Sequence, residues 1–158
     1  MNLKDLTIEK ARELLDNKQV SAVELTQYYL DQIKLKNKDL NAFLSVSESA
    51  LDQARAADIK IKNNQAGELT GIPLAIKDNI LVKGEVCTAG SKILEGYKPT
   101  FDSTVTEKIK GHGCVVLGKT NQDEFGFGTF STNSGFGIPK NPLDPTRSCG
   151  GSSGGAAG

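Results

Sequence analysis

The chain contains 158 residues, of which 37% are hydrophobic and 24% are charged, a composition that is ordinary for a globular domain. Lys and Arg together number 19, as do Asp and Glu, so there is no net charge and no overall basic field to hold a nucleic acid. Cys87, Cys114 and Cys149 are widely separated and form no C-x-x-C pair. This pattern argues against a disulfide framework and a zinc site, and we expect reduced thiols.

Membrane insertion is not expected from the sequence. No run of about 18 apolar residues occurs, so no transmembrane helix is predicted. The opening residues "MNLKDLTIEKARELL" lack the apolar stretch of a signal peptide. We therefore expect a cytoplasmic protein with no membrane partner.

The N-terminal segment, residues 1–65, is predicted to be mainly helical. In "LTIEKARELL" the apolar residues recur along one helical stripe, and Thr7 precedes them as a favoured N-cap residue. Ser21 and Glu24 have the capping-box spacing, and the apolar residues after them predict a second helix over "AVELTQYYLDQI". A strand in "NAFLSV" and a third helix in "ALDQARAADIKIK" complete this segment.

From residue 66 the pattern changes to short apolar runs that predict strands, in "GIPLAI", "NILV" and "CVVLG". A polar helix is predicted between Ser103 and Lys110. Strands that alternate with helices indicate an α/β core with a sheet covered on both faces, here over residues 66–158. Residues 125–137, "FGFGTFSTNSGFG", form a long Gly-rich loop, and such loops in compact domains are usually functional.

The segment Gly113–Thr120, "GCVVLGKT", fits the nucleotide-binding pattern G-x-x-x-x-G-K-[ST]. Its four central residues would have to form a phosphate-binding loop, but Cys-Val-Val-Leu favours an extended strand. We therefore predict a strand here and no ATP site.

The single histidine, His112, follows the predicted helix between Ser103 and Lys110, where it can interact with the last carbonyl groups of that helix. One histidine argues against a Ser-His-Asp triad or a His-based metal site.

Lys77 follows an apolar strand directly and is a candidate base. A lysine has a pKa near ~10.4 and serves as a base near neutral pH only when apolar surroundings lower that pKa. Because lysine is almost never fully buried, a solvated amine at a strand end is the simpler interpretation of Lys77 alone.

The final segment, "RSCGGSSGGAAG", leaves a similar choice between a flexible linker and part of an active site.

Five segments bear on both choices. In the order "LTGIPLAIKDNI", "GSKILEGY", "LGKTNQDEFGFGT", "KNPLDPTRS" and "GGSSGG", they resemble the amidase signature family, whose catalytic residues are Ser, cis-Ser and Lys. Within that family, "VSAVELTQYYLDQI" and "LNAFLSV" are similar to the A subunits of tRNA-dependent amidotransferases. The resemblance extends from about Leu6 to Gly158. It implies the N-terminal part of the amidase signature fold, with a mixed β-sheet covered by helices and preceded by N-terminal helices.

The resemblance also implies roles for individual residues. Lys77 matches the lysine that accepts and donates the proton, and Ser152 matches the bridging serine, which follows a cis peptide bond. Gly151 and Ser153 are the expected supporting residues. The family's nucleophilic serine lies further along the chain than Gly158, so we expect these residues to correspond to the first third of an amidase without turnover of its own.

Where the A subunits usually have "NMDEFAMGSSTENS", this chain has "NQDEFGFGTFSTNS". Phe127 therefore stands at a position that usually holds Met. The resemblance implies that Phe127, Gly128 and Thr129 belong to the loop that lines the substrate pocket, so this departure bears on which amide is accepted.

The activity implied for the parent protein is hydrolysis of glutamine, which supplies ammonia for amidating mischarged Glu-tRNA(Gln) or Asp-tRNA(Asn). The implied partners are the B and C subunits of the amidotransferase, with the tRNA held through the B subunit. No cofactor or metal is implied for this chain, whereas ATP and Mg²⁺ are expected in the partner subunit. Two alternatives remain open: a stand-alone amidase of the same family that acts on small amides, and a non-catalytic fragment that binds partners.

Overall fold

A computed structural model describes residue 3 and residues 6–158 of the chain. Two 3-10 turns, at Lys92–Leu94 and Glu124–Gly126, accompany the helices and strands. In chain order the helices and strands are α1 (Ile8–Asp16), α2 (Ala22–Leu40), β1 (Phe43–Val46), α3 (Ala50–Lys62), β2 (Pro73–Lys77), α4 (Thr104–Gly111), β3 (Val115–Thr120) and α5 (Gly154–Ala157). This alternation confirms the predicted α/β class.

The helices begin where the sequence predicts. The side chain of Thr7 caps α1, and Ser21 and Glu24 form the complete capping box at the start of α2. The first two backbone amides of α2 also donate to the carboxylate of Asp58 on α3, at 2.7 and 3.2 Å. These bonds satisfy amides that a helix start leaves unpaired, and they join α2 to α3.

The three strands form a mixed sheet in the order β1-β3-β2, with β1 antiparallel and β2 parallel to the central β3. All six residues of β3 are buried, so "GCVVLGKT" contains a core strand, as predicted, and not a phosphate loop. Lys77, the last residue of β2, is paired with Thr120, the last residue of β3. The residues that follow these two strands therefore meet at one edge of the sheet.

The prediction of a strand in "NILV" is wrong. After Lys77 the chain turns, and the amide of Ile80 donates to the carbonyl of Lys77 at 2.9 Å. Ile80 and Val82 instead pack against Ile76 and Val116 in a small apolar cluster. Burial in this cluster accounts for the apolar character of the segment, so no strand is needed to explain it.

The main hydrophobic core is shared by the three N-terminal helices and the start of the sheet. Ile72, just before β2, and Val115, at the start of β3, belong to the same buried cluster as apolar side chains of α1, α2 and α3. This packing anchors β2 and β3 at one end and leaves their carboxyl ends to build the site. Over the residues that the structure describes, no helix is both long and apolar enough to cross a membrane.

Candidate active site

Lys77 lies at the carboxyl end of β2, where the strand leaves the sheet, and its side chain is half-buried. Its Nζ donates a hydrogen bond to Ser152 Oγ at 2.6 Å, although 75 positions separate the two residues in sequence. A lysine that merely extended into solvent would have no such partner. The structure thus brings together the two residues that the resemblance identifies as catalytic.

The Gly-Ser segment is not a free tail, because its backbone is bonded to the body of the domain. The carbonyl of Ser152 accepts from the amide of Asp123 at 3.1 Å, and the amide of Gly155 donates to the carbonyl of Asn121 at 2.9 Å. Gly154 donates to Ser131 Oγ at 2.9 Å. These bonds hold Ser152 against the residues that follow β3.

Small residues are required at this contact. A side chain at Gly155 would overlap the carbonyl oxygen of Ala42 and the amide of Asn121, since both lie closer than any real Cβ contact. The peptide bond between Gly151 and Ser152 is cis, the geometry that the resemblance implies before a bridging serine. Ser153 is exposed, and its carbonyl accepts from the amide of Ala156 at 3.0 Å.

The electrostatic surroundings of Lys77 favour its neutral amine. Burial lowers the pKa of Lys77 from its ordinary value, and the negative charge of Asp123 opposes this effect by raising the pKa. A lysine with a lowered pKa spends more of its time as a base near neutral pH. The hydrogen bond to Ser152 then gives the amine a path along which a proton can be exchanged.

Asp123 and Ser131 were not predicted as site residues from the sequence. Both are buried, and the amide of Ser131 donates to Asp123 Oδ2 at 3.0 Å. Ser131 Oγ also donates to the carbonyl of Gly150 at 2.7 Å, which ties the Gly-rich loop to the residues just before Ser152. The available signal was the position of Asp123, three residues after the end of the buried strand β3, at the sheet edge where Lys77 also emerges.

Behind Lys77 lies a buried ion pair between Asp78 and Lys119. Lys119 Nζ is 3.2 Å from Asp78 Oδ1, and the two side chains are 0% and 1% exposed. Asp78 Oδ2 also accepts from the amide of Thr88 at 2.9 Å and from its hydroxyl. The lysine of the apparent nucleotide-binding pattern is therefore a fully buried residue of β3 that pairs with a carboxylate.

The predicted pocket loop contributes its backbone more than its side chains. A Cβ atom built on Gly126 would lie 4.0 Å from Ser152 Oγ and 3.6 Å from Asn79 Nδ2, so the loop starts beside Ser152. Phe127 is 81% exposed, and Gly128 and Thr129 are exposed as well. Their place in a substrate pocket stays a prediction.

Potential metal ligands are not grouped in the described part of the chain: no three His, Cys, Asp or Glu side chains come together there as a metal site. The chemistry that this geometry can perform with its own residues is proton transfer between an amine and a hydroxyl.

The sequence of residues 24–158 matches the amidase family. Since this match covers most of the chain, the protein belongs to that family. The structure agrees, because native peptide amidase from Stenotrophomonas maltophilia superposes with a TM-score of 0.90 at 29% identity, over 96% of this chain and 33% of that enzyme.

The chain is also similar to amidotransferase subunits. The A subunit of glutamyl-tRNA(Gln) amidotransferase from Clostridium botulinum (strain Okra / Type B1) is 49% identical over 159 aligned positions, which cover 99% of this chain and 33% of that protein. The corresponding A subunit from Thermoanaerobacter pseudethanolicus is 48% identical, over 99% of this chain and 32% of that protein. The crystal structure of the Thermotoga maritima A subunit gives a TM-score of 0.81 at 39% identity, over 98% of this chain and 31% of that chain. The chain spans about a third of the length of these relatives.

Proposed function

We propose that this chain forms the N-terminal portion of an amidotransferase A subunit, and that Lys77 and Ser152 are the proton-transfer residues of its Ser-cisSer-Lys glutaminase site. The observation that carries the proposal is the 2.6 Å hydrogen bond from Lys77 Nζ to Ser152 Oγ. The identity of 49% to an amidotransferase A subunit supports glutamine as the amide that is hydrolysed.

The two residues act as a relay. The neutral amine of Lys77 accepts the hydroxyl proton of Ser152, while Ser152 Oγ takes the proton of a nucleophilic serine, whose oxygen then attacks the carbon of the side-chain amide of glutamine. In the second half of acylation the same proton returns from Lys77 through Ser152 to the departing nitrogen, and ammonia leaves. A water molecule repeats the sequence on the acyl-enzyme and releases glutamate.

Further parts of the proposal concern components outside these residues. In this proposal the nucleophilic serine, the oxyanion-hole amides and the remaining substrate contacts correspond to the two thirds of the relatives' length that residues 1–158 do not cover. B and C subunits are the proposed partners, with the mischarged tRNA and the ATP and Mg²⁺ handled by the partner subunit. Such a complex would work in the cytoplasm.

A second candidate is a stand-alone amidase for small amides or peptide amides. The backbone comparison favours this candidate, because the peptide amidase from Stenotrophomonas maltophilia superposes on this chain with a TM-score of 0.90 and the Thermotoga maritima subunit with 0.81. The sequence favours the amidotransferase, because that subunit is 39% identical and the peptide amidase 29%. We give the sequence more weight, because two A subunits are 49% and 48% identical to this chain over 99% of its length.

A chimera tests the proposal. Residues 1–158 of this chain replace the aligned third of the Clostridium botulinum A subunit, and the chimera is purified with the B and C subunits of the same organism. We expect the three chains to copurify and to release ammonia from glutamine. Changing Lys77→Ala or Ser152→Ala should reduce kcat by about 10³-fold or more, as removal of a residue of a catalytic triad does.

Lys60→Ala is the matched control, because Lys60 is an exposed lysine of α3, a helix that contributes no residue to the site described above. It should leave ammonia release unchanged. Release that is unaffected by Lys77→Ala would contradict the proposed roles, and a chimera that assembles without releasing ammonia would favour a non-catalytic fragment. Turnover of peptide amides in the absence of B and C subunits, with none of glutamine, would favour the second candidate.

A further inference from the structure

Asp123 has every one of its polar groups engaged in binding neighbouring segments. Its Oδ2 accepts from the amide of Ser131 at 3.0 Å, and its Oδ1 accepts from the amide of Asn133 at 2.9 Å. Its own amide donates to the carbonyl of Ser152 at 3.1 Å, and its carbonyl accepts from the amide of Gly126 at 2.9 Å. One residue therefore connects the Gly-rich loop to the bridging serine.

The carboxylate is held in a space that only glycines leave free. A Cβ atom on Gly151 would lie 2.5 Å from Asp123 Oδ2, and one on Gly128 would lie 2.6 Å from Asp123 Cβ. The side chain of Asp123 is 1% exposed, so it cannot move away from these two segments into solvent. Its position consequently fixes where the peptide unit before Ser152 lies.

The same carboxylate acts on Lys77 through its charge. Two other charged groups, Asp78 and Lys119, lie next to β2, but they neutralise each other in a buried pair. Glu124 accepts from Ser91 Oγ at 2.6 Å. The carboxylate of Asp123 is the charge that opposes the effect of burial on the pKa of Lys77.

From this geometry we propose that Asp123 is a positioning residue of the site: its carboxylate and its amide together hold the Gly-rich loop and the bridging Ser152 in place around Lys77. The catalytic meaning of this role rests on the proposed function, whereas the structural role can be tested without turnover. Asp123 touches no reacting atom in this arrangement and acts through Ser152 and Lys77.

The test compares the wild-type 158-residue chain with Asp123→Asn. Lysines are labelled with trace acetic anhydride over a range of pH, and mass spectrometry gives a reactivity curve for the peptide that contains Lys77. Asn keeps the shape of Asp but not its charge, so the ammonium form of Lys77 loses an attraction, and we expect the midpoint of its curve to move to lower pH. Backbone hydrogen exchange at Ser131 and Asn133 should become faster.

Asp102→Asn is the matched control, because it also removes the charge of a carboxylate that accepts a backbone amide, here that of Lys83 at 2.7 Å. It should leave the Lys77 curve where it is in wild type. A role of Asp123 in folding alone would change exchange throughout the chain without moving the midpoint for Lys77. An unmoved Lys77 midpoint, together with unchanged exchange at Ser131 and Asn133, would overturn the proposal.

If Asp123→Asn does not fold, the wild-type chain still decides the structural role, because unprotected amides at Ser131 and Asn133 would contradict their bonds to the carboxylate. In the chimera described above, we expect Asp123→Asn to lower kcat by about 10- to 100-fold, as small displacements of a catalytic group do. The acidic limb of the pH profile of ammonia release should move to lower pH, because the pKa of Lys77 is lower without the carboxylate charge. An inactive chimera combined with the expected lysine curves would refute the proposed function and leave the role of Asp123 standing.

Discussion

Gln122 and Asp123 are adjacent residues, both buried, with opposite hydrogen-bonding situations. Both oxygens of the Asp123 carboxylate accept backbone amides. Gln122 is 0% exposed, and among the described residues neither its Oε1 nor its Nε2 has a hydrogen-bond partner. A buried amide without partners lowers the free energy of unfolding.

Changing Gln122→Met should therefore stabilise the chain. Met is nearly the same size as Gln and carries no group that needs a partner, so we expect the free energy of unfolding to rise by about 1–2 kcal/mol. At this chain length, each kcal/mol corresponds to an increase in Tm of about 2–4 °C. Urea unfolding followed by circular dichroism measures the change.

Gln53→Met is the matched control, because Gln53 Oε1 accepts from the amide of Val116 at 2.9 Å and its Nε2 donates to Ser49 Oγ at 2.8 Å. Here the same substitution removes two hydrogen bonds, and we expect a loss of about 1–3 kcal/mol. If Gln122→Met and Gln53→Met changed the free energy of unfolding equally, the hydrogen bonds of the side-chain amide would not decide whether the substitution stabilises or destabilises the chain.

The residues of the site differ in how far they could be predicted from sequence. Lys77 and Ser152 are 75 positions apart, and no local pattern joins them, so only the family resemblance placed them together. The resemblance did not identify Asp123, whose importance depends on backbone amides of Ser131 and Asn133 that a folded loop brings to it. Capping residues such as Ser21 were predicted directly, since their partners lie within one helical turn.

Among the structural elements, β2 and β3 are joined by their parallel ladder and by an ion pair between Lys119 on β3 and Asp78, the residue that follows β2. Changing Lys119→Met should leave the carboxylate of Asp78 buried and uncompensated, at a cost of about 3–5 kcal/mol in the free energy of unfolding. Urea unfolding of the variant checks this value. Adding Asp78→Asn to Lys119→Met should recover part of the loss, because the uncompensated charge is then gone.

Lys110→Met controls for the loss of a lysine ion pair, since Lys110 and its partner Asp102 are 34% and 16% exposed. A pair that keeps contact with water contributes about 1 kcal/mol or less. If Lys119→Met cost no more than Lys110→Met, the buried pair would not be a main connection between the two strands.

The short helix α5 is positioned by contact with the sheet, and Gly155 is the residue at that contact. Gly155→Ala would place a methyl group against the carbonyl of Ala42 and the amide of Asn121. We expect a loss of about 1–3 kcal/mol in the free energy of unfolding, as for other overpacked sites, and faster hydrogen exchange of the amide at position 155. Gly111→Ala is the control, because nothing lies within 4 Å of its added methyl group and a helical Ala is favoured over Gly by about 1 kcal/mol. Equal stability of the two variants would contradict this close contact.

Prediction at the level of elements succeeded where local signals were sufficient. The starts of α1 and α2 have capping residues, and β3 begins with the apolar run Val-Val-Leu, which favours a strand although Gly118 lies within it. The segment "NILV" was mistaken for a strand because a short apolar run has the same composition in a strand and in a buried turn. The segment "GGSSGG" has the composition of a linker, and only its tertiary bonds distinguish it from one.

Over the residues that the structure describes, one sheet and one main hydrophobic core include both halves of the sequence. The change in pattern at residue 65 led us to propose a helical segment, residues 1–65, before an α/β core, residues 66–158. In the structure β1 of the first segment pairs with β3 of the second, and Ile72 and Val115 pack in the core of the N-terminal helices. This division therefore describes sequence segments that depend on each other for burial.

This dependence predicts a single unfolding transition for the described part of the chain. The sequence contains no Trp, so one can be introduced as a fluorescent probe in each segment, at Tyr28 on α2 and at Tyr97 before α4. We expect Tyr28→Trp and Tyr97→Trp to report the same urea midpoint within error, and circular dichroism to coincide with both. The two variants control for each other, because each replaces a Tyr whose ring is partly exposed. Two separate midpoints would contradict this dependence, because they would show that the N-terminal helices unfold independently of the rest of the chain.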